Sequence, residues 1–290
     1  MPLLSRCLNA LLLLGALAGC RATPLPRPPL ERQLLIPSGE HSIPGVLVLP
    51  GDRKGPVPAV LLLHGFGSHK DEVGDLYRRE AADLAARGIA SLRIDFPCAG
   101  ASTRPCTDNT VDVQVAEARA AWEFLLRQPE VAADRAGMLG FSLGGIIATA
   151  VAGADGRVKA LVLWSTPADT AEAFRDLRER YGEEASREGH VTADLGFRTM
   201  ELSAAFFEST LRSFPHRDIQ GHRGPQLLIA GERDTAIAAG ARRLASSASG
   251  EDTTVEIIPG ADHIYGVLGP EDTAALRVLR HTANWLEQKL

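Results

Sequence analysis

Three side chains in this 290-residue chain could together make an alcohol reactive: Ser142, Asp234 and His263. A hydroxyl is a weak nucleophile at neutral pH and needs a base to take its proton. Histidine has a suitable pKa. A carboxylate can fix the imidazole tautomer and stabilise the imidazolium that forms. Each of the three follows an apolar, strand-like run: Ser142 after AGMLGF, Asp234 after QLLIAGER and His263 after VEIIPGAD. Sites in open parallel sheets lie beyond the carboxyl ends of the strands, so residues far apart in sequence are expected to converge at one edge.

The glycines around Ser142 sharpen this. In RAGMLGFSLGGIIATAVAG a serine stands between an apolar strand and an apolar helix, in the pattern Gly140-x-Ser142-x-Gly144. Glycine weakens strand and helix interiors alike. Here it implies a strained strand-to-helix turn that presents Oγ at its tip. The helix that starts at Leu143 aims its N-terminal dipole at a developing oxyanion. The Leu143 amide is then one oxyanion donor, and the Phe66 amide in HGFG is expected to be the second. Asp234 could alternatively cap the helix TAIAAGARRLA. Asp262, next to His263, is expected to point away. His64 is read as bracing the oxyanion loop and Asp95 as structural. His69, His190, His216, His222 and His281 are unclustered and expected at the surface, and no metal site or cofactor is expected.

The elements that must position these residues alternate strand and helix from Gln33 onward. QLLIP and GVLVLP form an initial hairpin. Strands are expected at 58–67, 89–97, 136–142, 158–166, 225–234 and 254–263. Helices are expected at 71–88, 110–128, 143–153, near 236–248 and at 271–289. Alternation with continuous apolar strands means an α/β fold, a mostly parallel, doubly wound sheet covered on both faces. The interval of about 168–224 is too long for a simple connection. It reads as a polar, helical cap inserted over the end of the sheet, with Phe206, Phe207 and Phe214 on its underside.

The residues His64-Gly65-Phe66-Gly67, Gly140-Phe141-Ser142-Leu143-Gly144-Gly145, Gly231-Glu232-Arg233-Asp234 and Gly260-Ala261-Asp262-His263 resemble the α/β-hydrolase family, in that family's order Ser…Asp…His. The resemblance covers about residues 33–289. HGFGSHKDE with RIDFPCAGAS is most similar to feruloyl/cinnamoyl esterases and their acyl-peptidase-like relatives. It implies a serine hydrolase, a carboxylesterase, that acts on a small-molecule ester without a cofactor. Peptidase, thioesterase or acyltransferase chemistry would use the same residues. A non-enzymatic envelope protein that binds a ligand is the alternative from a different class. Cys98-Ala99-Gly100-Ala101-Ser102 departs from the Gly-x-Gly-x-Ser that the family often carries there, which leaves the local substrate contacts open.

The first residues are set apart from the fold. MPLLSRCLNALLLLGALAGC has one basic residue and an apolar run shorter than the ~20 residues that span a bilayer, so residues 1–19 read as a signal peptide. Leu17-Ala18-Gly19-Cys20 resembles the lipobox of bacterial lipoproteins, in which the cysteine is lipidated. Residues 20–32 then form a Pro-rich tether and 33–290 the hydrolase domain. The expected location is the bacterial cell envelope, lipid-anchored on the periplasmic side of the outer membrane. Export makes a Cys98–Cys106 disulfide the simplest reading of the other two cysteines. A net charge of −5 argues against nucleic acid as a partner.

Overall fold

The computed structural model describes residues 27–250 and 252–290. The expected signal segment, Cys20 and most of the expected tether lie outside the described residues. The strands are β1 (Leu30–Ser38), β2 (His41–Leu49), β3 (Val57–Leu63), β4 (Ala90–Ile94), β5 (Val131–Phe141), β6 (Leu161–Trp164), β7 (His190–Asp194), β8 (Thr199–Ser203), β9 (Gln226–Gly231) and β10 (Thr253–Ile258). The helices are α1 (Leu76–Ala86), α2 (Val111–Leu126), α3 (Leu143–Ala154), α4 (Thr170–Ala173), α5 (Arg175–Glu188), α6 (Ala204–Leu211), α7 (Pro215–Asp218), α8 (Thr235–Ser247) and α9 (Thr273–Lys289).

Eight strands form one sheet in the order β1-β2-β4-β3-β5-β6-β9-β10. β2 runs antiparallel to β1 and β4, and every other pair is parallel. Side chains alternate between faces along a strand. In β3, Ala59, Leu61 and Leu63 therefore join the core under α2, α3 and α8, while Val60 and Leu62 join the core under α1 and α9. Both faces are covered, which is why β3 and β6 are apolar throughout. Two of the polar groups inside pair across the core: Trp164 Nε1 donates to Thr282 Oγ1 at 2.9 Å and Tyr77 Oη to the Leu63 carbonyl at 2.8 Å.

Several boundaries differ from the sequence reading, each for a local reason. β1 begins at Leu30, inside the expected tether, because Leu30 pairs with Leu49 across the hairpin. That pairing sets the start of the domain at the amino-terminal pole of the parallel strands, beside Ala90. The helix expected from residue 71 starts at Leu76, because Glu72, Gly74 and Asp75 all have positive φ. β4 stops at Ile94 because the Asp95 carboxylate accepts from Ala101 N, Lys70 N and Lys70 Nζ and so turns the chain. β10 stops before Pro259-Gly260. β5 begins five residues early, where its pairing with β3 shifts register between Val57 and Ala59.

The interval between β6 and β9 holds α4, α5, α6 and α7, and also a hairpin that the sequence reading missed. β7 and β8 pair antiparallel, with Val191, Ala193, Met200 and Leu202 buried. HVTAD and TMELS do alternate, but the polar helix before them dominates the window. Cys98 and Cys106 are disulfide-bonded, with Cα atoms 4.5 Å apart, and close a loop beside Asp95. A loop of that size removes about 2–3 kcal/mol of unfolded-state freedom. Among the described residues, no helix is long and apolar enough to cross a membrane.

One core residue makes a testable case. Glu80 on α1 is fully buried, and neither of its carboxylate oxygens has a partner among the described residues. Burial pushes its pKa well above the usual 4.5, with Asp83 adding to the shift and Arg87 opposing it. The folded chain thus holds this proton to higher pH than the unfolded chain does. Its contribution to stability is complete below the ordinary value and is lost as pH rises through the raised one. The melting temperature of Glu80→Gln, relative to wild type, should therefore climb as the buffer is taken from pH 4.5 to about pH 8. A difference that stays flat or shrinks would show that Glu80 does not titrate this way.

Candidate active site

Ser142 sits between β5 and α3 at φ 52° and ψ −115°, a conformation that L-residues avoid. Its amide donates to the Trp164 carbonyl at 2.8 Å, and its own carbonyl accepts from Gly145 N at 3.0 Å. The flanking glycines are required by close approach. A Cβ on Gly140 would collide with the Gly144 carbonyl, and one on Gly144 with the Leu63 carbonyl. The turn is as tight as backbone contact allows, and it puts Oγ at the carboxyl edge of the sheet.

His263 lies beyond β10. Its Nε2 is 3.1 Å from Ser142 Oγ and its Nδ1 2.6 Å from Asp234 Oδ2. The Phe141 ring meets the imidazole edge-on at 5.4 Å, and the His263 carbonyl accepts from Ser165 Oγ at 2.8 Å. Asp234 does two jobs at once: Oδ2 faces His263 while Oδ1 accepts from Ile237 N at 3.4 Å, capping α8. The two roles that stand as alternatives in the sequence are held together in the structure. The Asp262 carboxylate accepts from Ile264 N and Gly266 N, which shapes the loop.

The Phe66 amide belongs to a turn closed by Ser68 N donating to the Gly65 carbonyl at 3.3 Å. Gly67, its third residue, has φ +72°, as a type II turn demands. Neither the Phe66 amide nor the Leu143 amide donates to an acceptor among the described residues. Both residues line the same cavity as Ser142, Asp234 and His263, with a volume of about 1020 Å³.

Behind the turn, His64 is buried between two backbone groups. Its Nε2 accepts from Phe96 N at 3.1 Å, so Nδ1 carries the proton and donates to the Gly65 carbonyl at 2.8 Å. Burial lowers its pKa, which keeps the ring neutral in this role. Of the histidines expected at the surface, His222 is instead buried, with its pKa lowered by that burial. It packs beside Gly224 and the Pro225 carbonyl, away from the cavity. Among the described residues, no cluster of three or more His, Cys, Asp or Glu could hold a metal ion.

The model of the Alpha/beta hydrolase family matches residues 60–276. The chain belongs to that family. Among curated relatives, this chain is 35% identical over 119 residues to the uncharacterized protein PA2218 of Pseudomonas aeruginosa, covering 40% of this chain and 31% of that protein. It is 31% identical over 118 residues to the polyketide transferase ATR5 of Stachybotrys chlorohalonatus, covering 39% of this chain and 37% of the relative. The match thus spans about a third of the length of either relative. The solved structure of PA2218 superposes with a TM-score of 0.73 at 19% identity, over 92% of this chain and 96% of that one. Est1E of Butyrivibrio proteoclasticus, solved with ferulic acid bound, gives 0.72 at 18% identity, over 88% and 98%. These two likenesses show the fold, and fold does not fix function.

Sequence reasoning missed Glu72. Its Oε1 accepts from Gly65 N at 2.5 Å, and its Oε2 accepts from Ser68 Oγ at 2.8 Å and Val73 N at 2.7 Å. It is almost wholly buried and stands at φ 62°. The quoted stretch HGFGSHKDE contained it, but no spacing rule links a carboxylate to an amide seven residues earlier. Glu72→Ala leaves the Gly65 amide buried without an acceptor, which costs about 1–3 kcal/mol. Urea unfolding should register that loss, together with slower turnover. A variant with wild-type stability and rate would show that the turn does not need this brace.

Proposed function

We propose that this hydrolase cleaves carboxylic esters through an acyl-enzyme on Ser142, with His263 as general base and acid and Asp234 as its orienting carboxylate. What carries the reading is the unbroken chain Asp234 Oδ2–His263–Ser142 Oγ, at 2.6 and 3.1 Å, in one cavity with Phe66 and Leu143, whose amides donate to no acceptor among the described residues. His263 Nε2 takes the Oγ proton as Oγ attacks the ester carbonyl carbon. The new oxyanion accepts from the Phe66 and Leu143 amides. The imidazolium then gives its proton to the leaving alkoxide as the C–O bond breaks. A water repeats the cycle on the acyl-serine and releases the acid. Each amide donor is worth about 3–4 kcal/mol in the transition state.

The cavity wall favours a neutral, apolar substrate. Phe66, Phe141, Phe174, Phe197, Ile237 and Leu268 face it. Among the described lining residues Arg243 is the only Lys or Arg, and it sits 3.7 Å from Asp169 and 4.0 Å from Glu172. A charged ligand would find that cation already engaged, whereas an aryl or alkyl acyl group needs only the apolar wall. The similarity to Est1E, solved with ferulic acid, supports an aromatic acyl group. The similarity to a polyketide transferase supports acyl transfer to another nucleophile as the second reading, on the same Ser142.

A fluorophosphonate probe should label wild type, and Ser142→Ala should lose both the label and p-nitrophenyl ester turnover. Asp234→Asn should keep the fold and lower kcat by about 10⁴-fold, since the amide favours the wrong imidazole tautomer. Undiminished turnover in Ser142→Ala would end the proposal.

We also propose that Cys20 carries lipid and anchors the hydrolase to the envelope membrane, on the strength of the Leu17-Ala18-Gly19-Cys20 motif after an apolar run. Cells fed labelled palmitate should mark wild type and leave Cys20→Ala unmarked. Equal marking of both would refute the anchor.

A further inference from the structure

The oxyanion turn is held from two sides. On the sheet side, Glu72 and His64 bind the Gly65 amide and carbonyl. On the other side the partners come from the segment inserted between β6 and β9. The Phe66 ring stacks on Phe206 of α6 at 5.3 Å and meets Phe174 edge-on at 5.1 Å. The Gly67 carbonyl accepts from Arg198 Nη1 at 3.0 Å. That is the only hydrogen bond of the Arg198 side chain among the described residues. The Phe197 ring lies over Gly67, where a Cβ would come within 3.0 Å of it.

Arg198 reaches the turn from a fixed base. β7 and β8 pair through Asp194 and Thr199, and Leu195 N donates to the Arg198 carbonyl at 2.9 Å to close the tip. Gly196 N donates to Asp194 Oδ1 at 2.8 Å. Tyr181 Oη on α5 donates to the Asp194 carbonyl at 3.2 Å and accepts from the Asp194 amide at 3.1 Å. The tip therefore does not swing freely, and a charged donor on it makes a stronger bond to a carbonyl than a neutral one would.

We propose that Arg198 is a positioning residue: by binding the Gly67 carbonyl it fixes the plane of the turn, so that the inserted hairpin sets the aim of the Phe66 amide. The inference rests on the acyl-enzyme reading of Ser142. Arg198 itself touches neither Ser142 nor His263. The Gly67 carbonyl shares its peptide group with the Ser68 amide, which donates to the Gly65 carbonyl, and that carbonyl shares its peptide group with the Phe66 amide. When the Gly67 carbonyl loses its partner, the turn can rock about Gly67, whose backbone is permissive. An oxyanion donor acts through its fixed direction, and losing one outright costs 10²–10³-fold in kcat. A misaimed donor should cost a fraction of that.

The test compares Arg198→Ala, Arg198→Lys and wild type on p-nitrophenyl acetate, a substrate too short to fill the cavity. Arg198→Ala should lower kcat about tenfold with KM within about twofold, and Arg198→Lys, which keeps a charged donor, should restore most of the rate. Hydrogen exchange at the Gly65 and Ser68 amides should quicken in Arg198→Ala, while exchange in α3 stays as in wild type. An unchanged kcat, a rise in KM alone, or a lysine variant no better than alanine would each overturn the proposal. Should wild type neither hydrolyse esters nor take the fluorophosphonate, the acyl-enzyme reading fails on its own account. Exchange then decides whether Arg198 straps the turn: faster exchange in Arg198→Ala supports it, and unchanged exchange overturns it.

Discussion

The contact on which the rest depends is the one between α3 and β3. Gly144 lies so close to the Leu63 and His64 carbonyls that no side chain fits between them. This approach brings the first turn of α3 against the end of the neighbouring strand. Two amides from different parts of the chain, Leu143 and Phe66, thereby come to face one cavity. It also forces Ser142 into its strained φ, because the chain must reverse within a single residue between β5 and α3. The strain is local, and it is sustained by a sheet apolar on both faces and helices packed on each side. Alanine at residue 144 would gain helix propensity, yet it would separate the elements that form the site.

The sheet and the Ser142–His263–Asp234 constellation were legible because each rests on a short-range pattern. Apolar runs of strand length, glycines around a lone serine and reactive residues just after strands all survive without knowledge of the tertiary structure. Glu72 and Arg198 were not legible. Each acts on a backbone group through a side chain, and a backbone group leaves no mark in the sequence. The β7–β8 hairpin was hidden for a different reason. Its alternation spans only five residues a strand and adjoins a strongly polar helix. Asp234 shows the limit from the other side. Its two candidate roles stand as alternatives when only the residue type is known, whereas the carboxylate has two oxygens and each takes one role.

The inserted segment is more than a cover. Phe174 and Phe206 grip the Phe66 ring, and Arg198 holds the next carbonyl, so the turn that carries the Phe66 amide is held by both the sheet and the insertion. A buried brace such as Glu72 gives the turn its stability. A partly exposed one such as Arg198 leaves that geometry open to whatever touches the hairpin. Substitutions at the tip could then alter the rate as well as access to the cavity.

β1 starts beside the amino-terminal ends of the parallel strands, roughly 20 Å of strand away from the edge where Ser142 stands. A chain held to a bilayer through residues upstream of Leu30 would stand with that pole toward the lipid and its cavity mouth facing the aqueous side. Held so, the cavity would open to molecules dissolved in the water rather than to those buried among acyl chains.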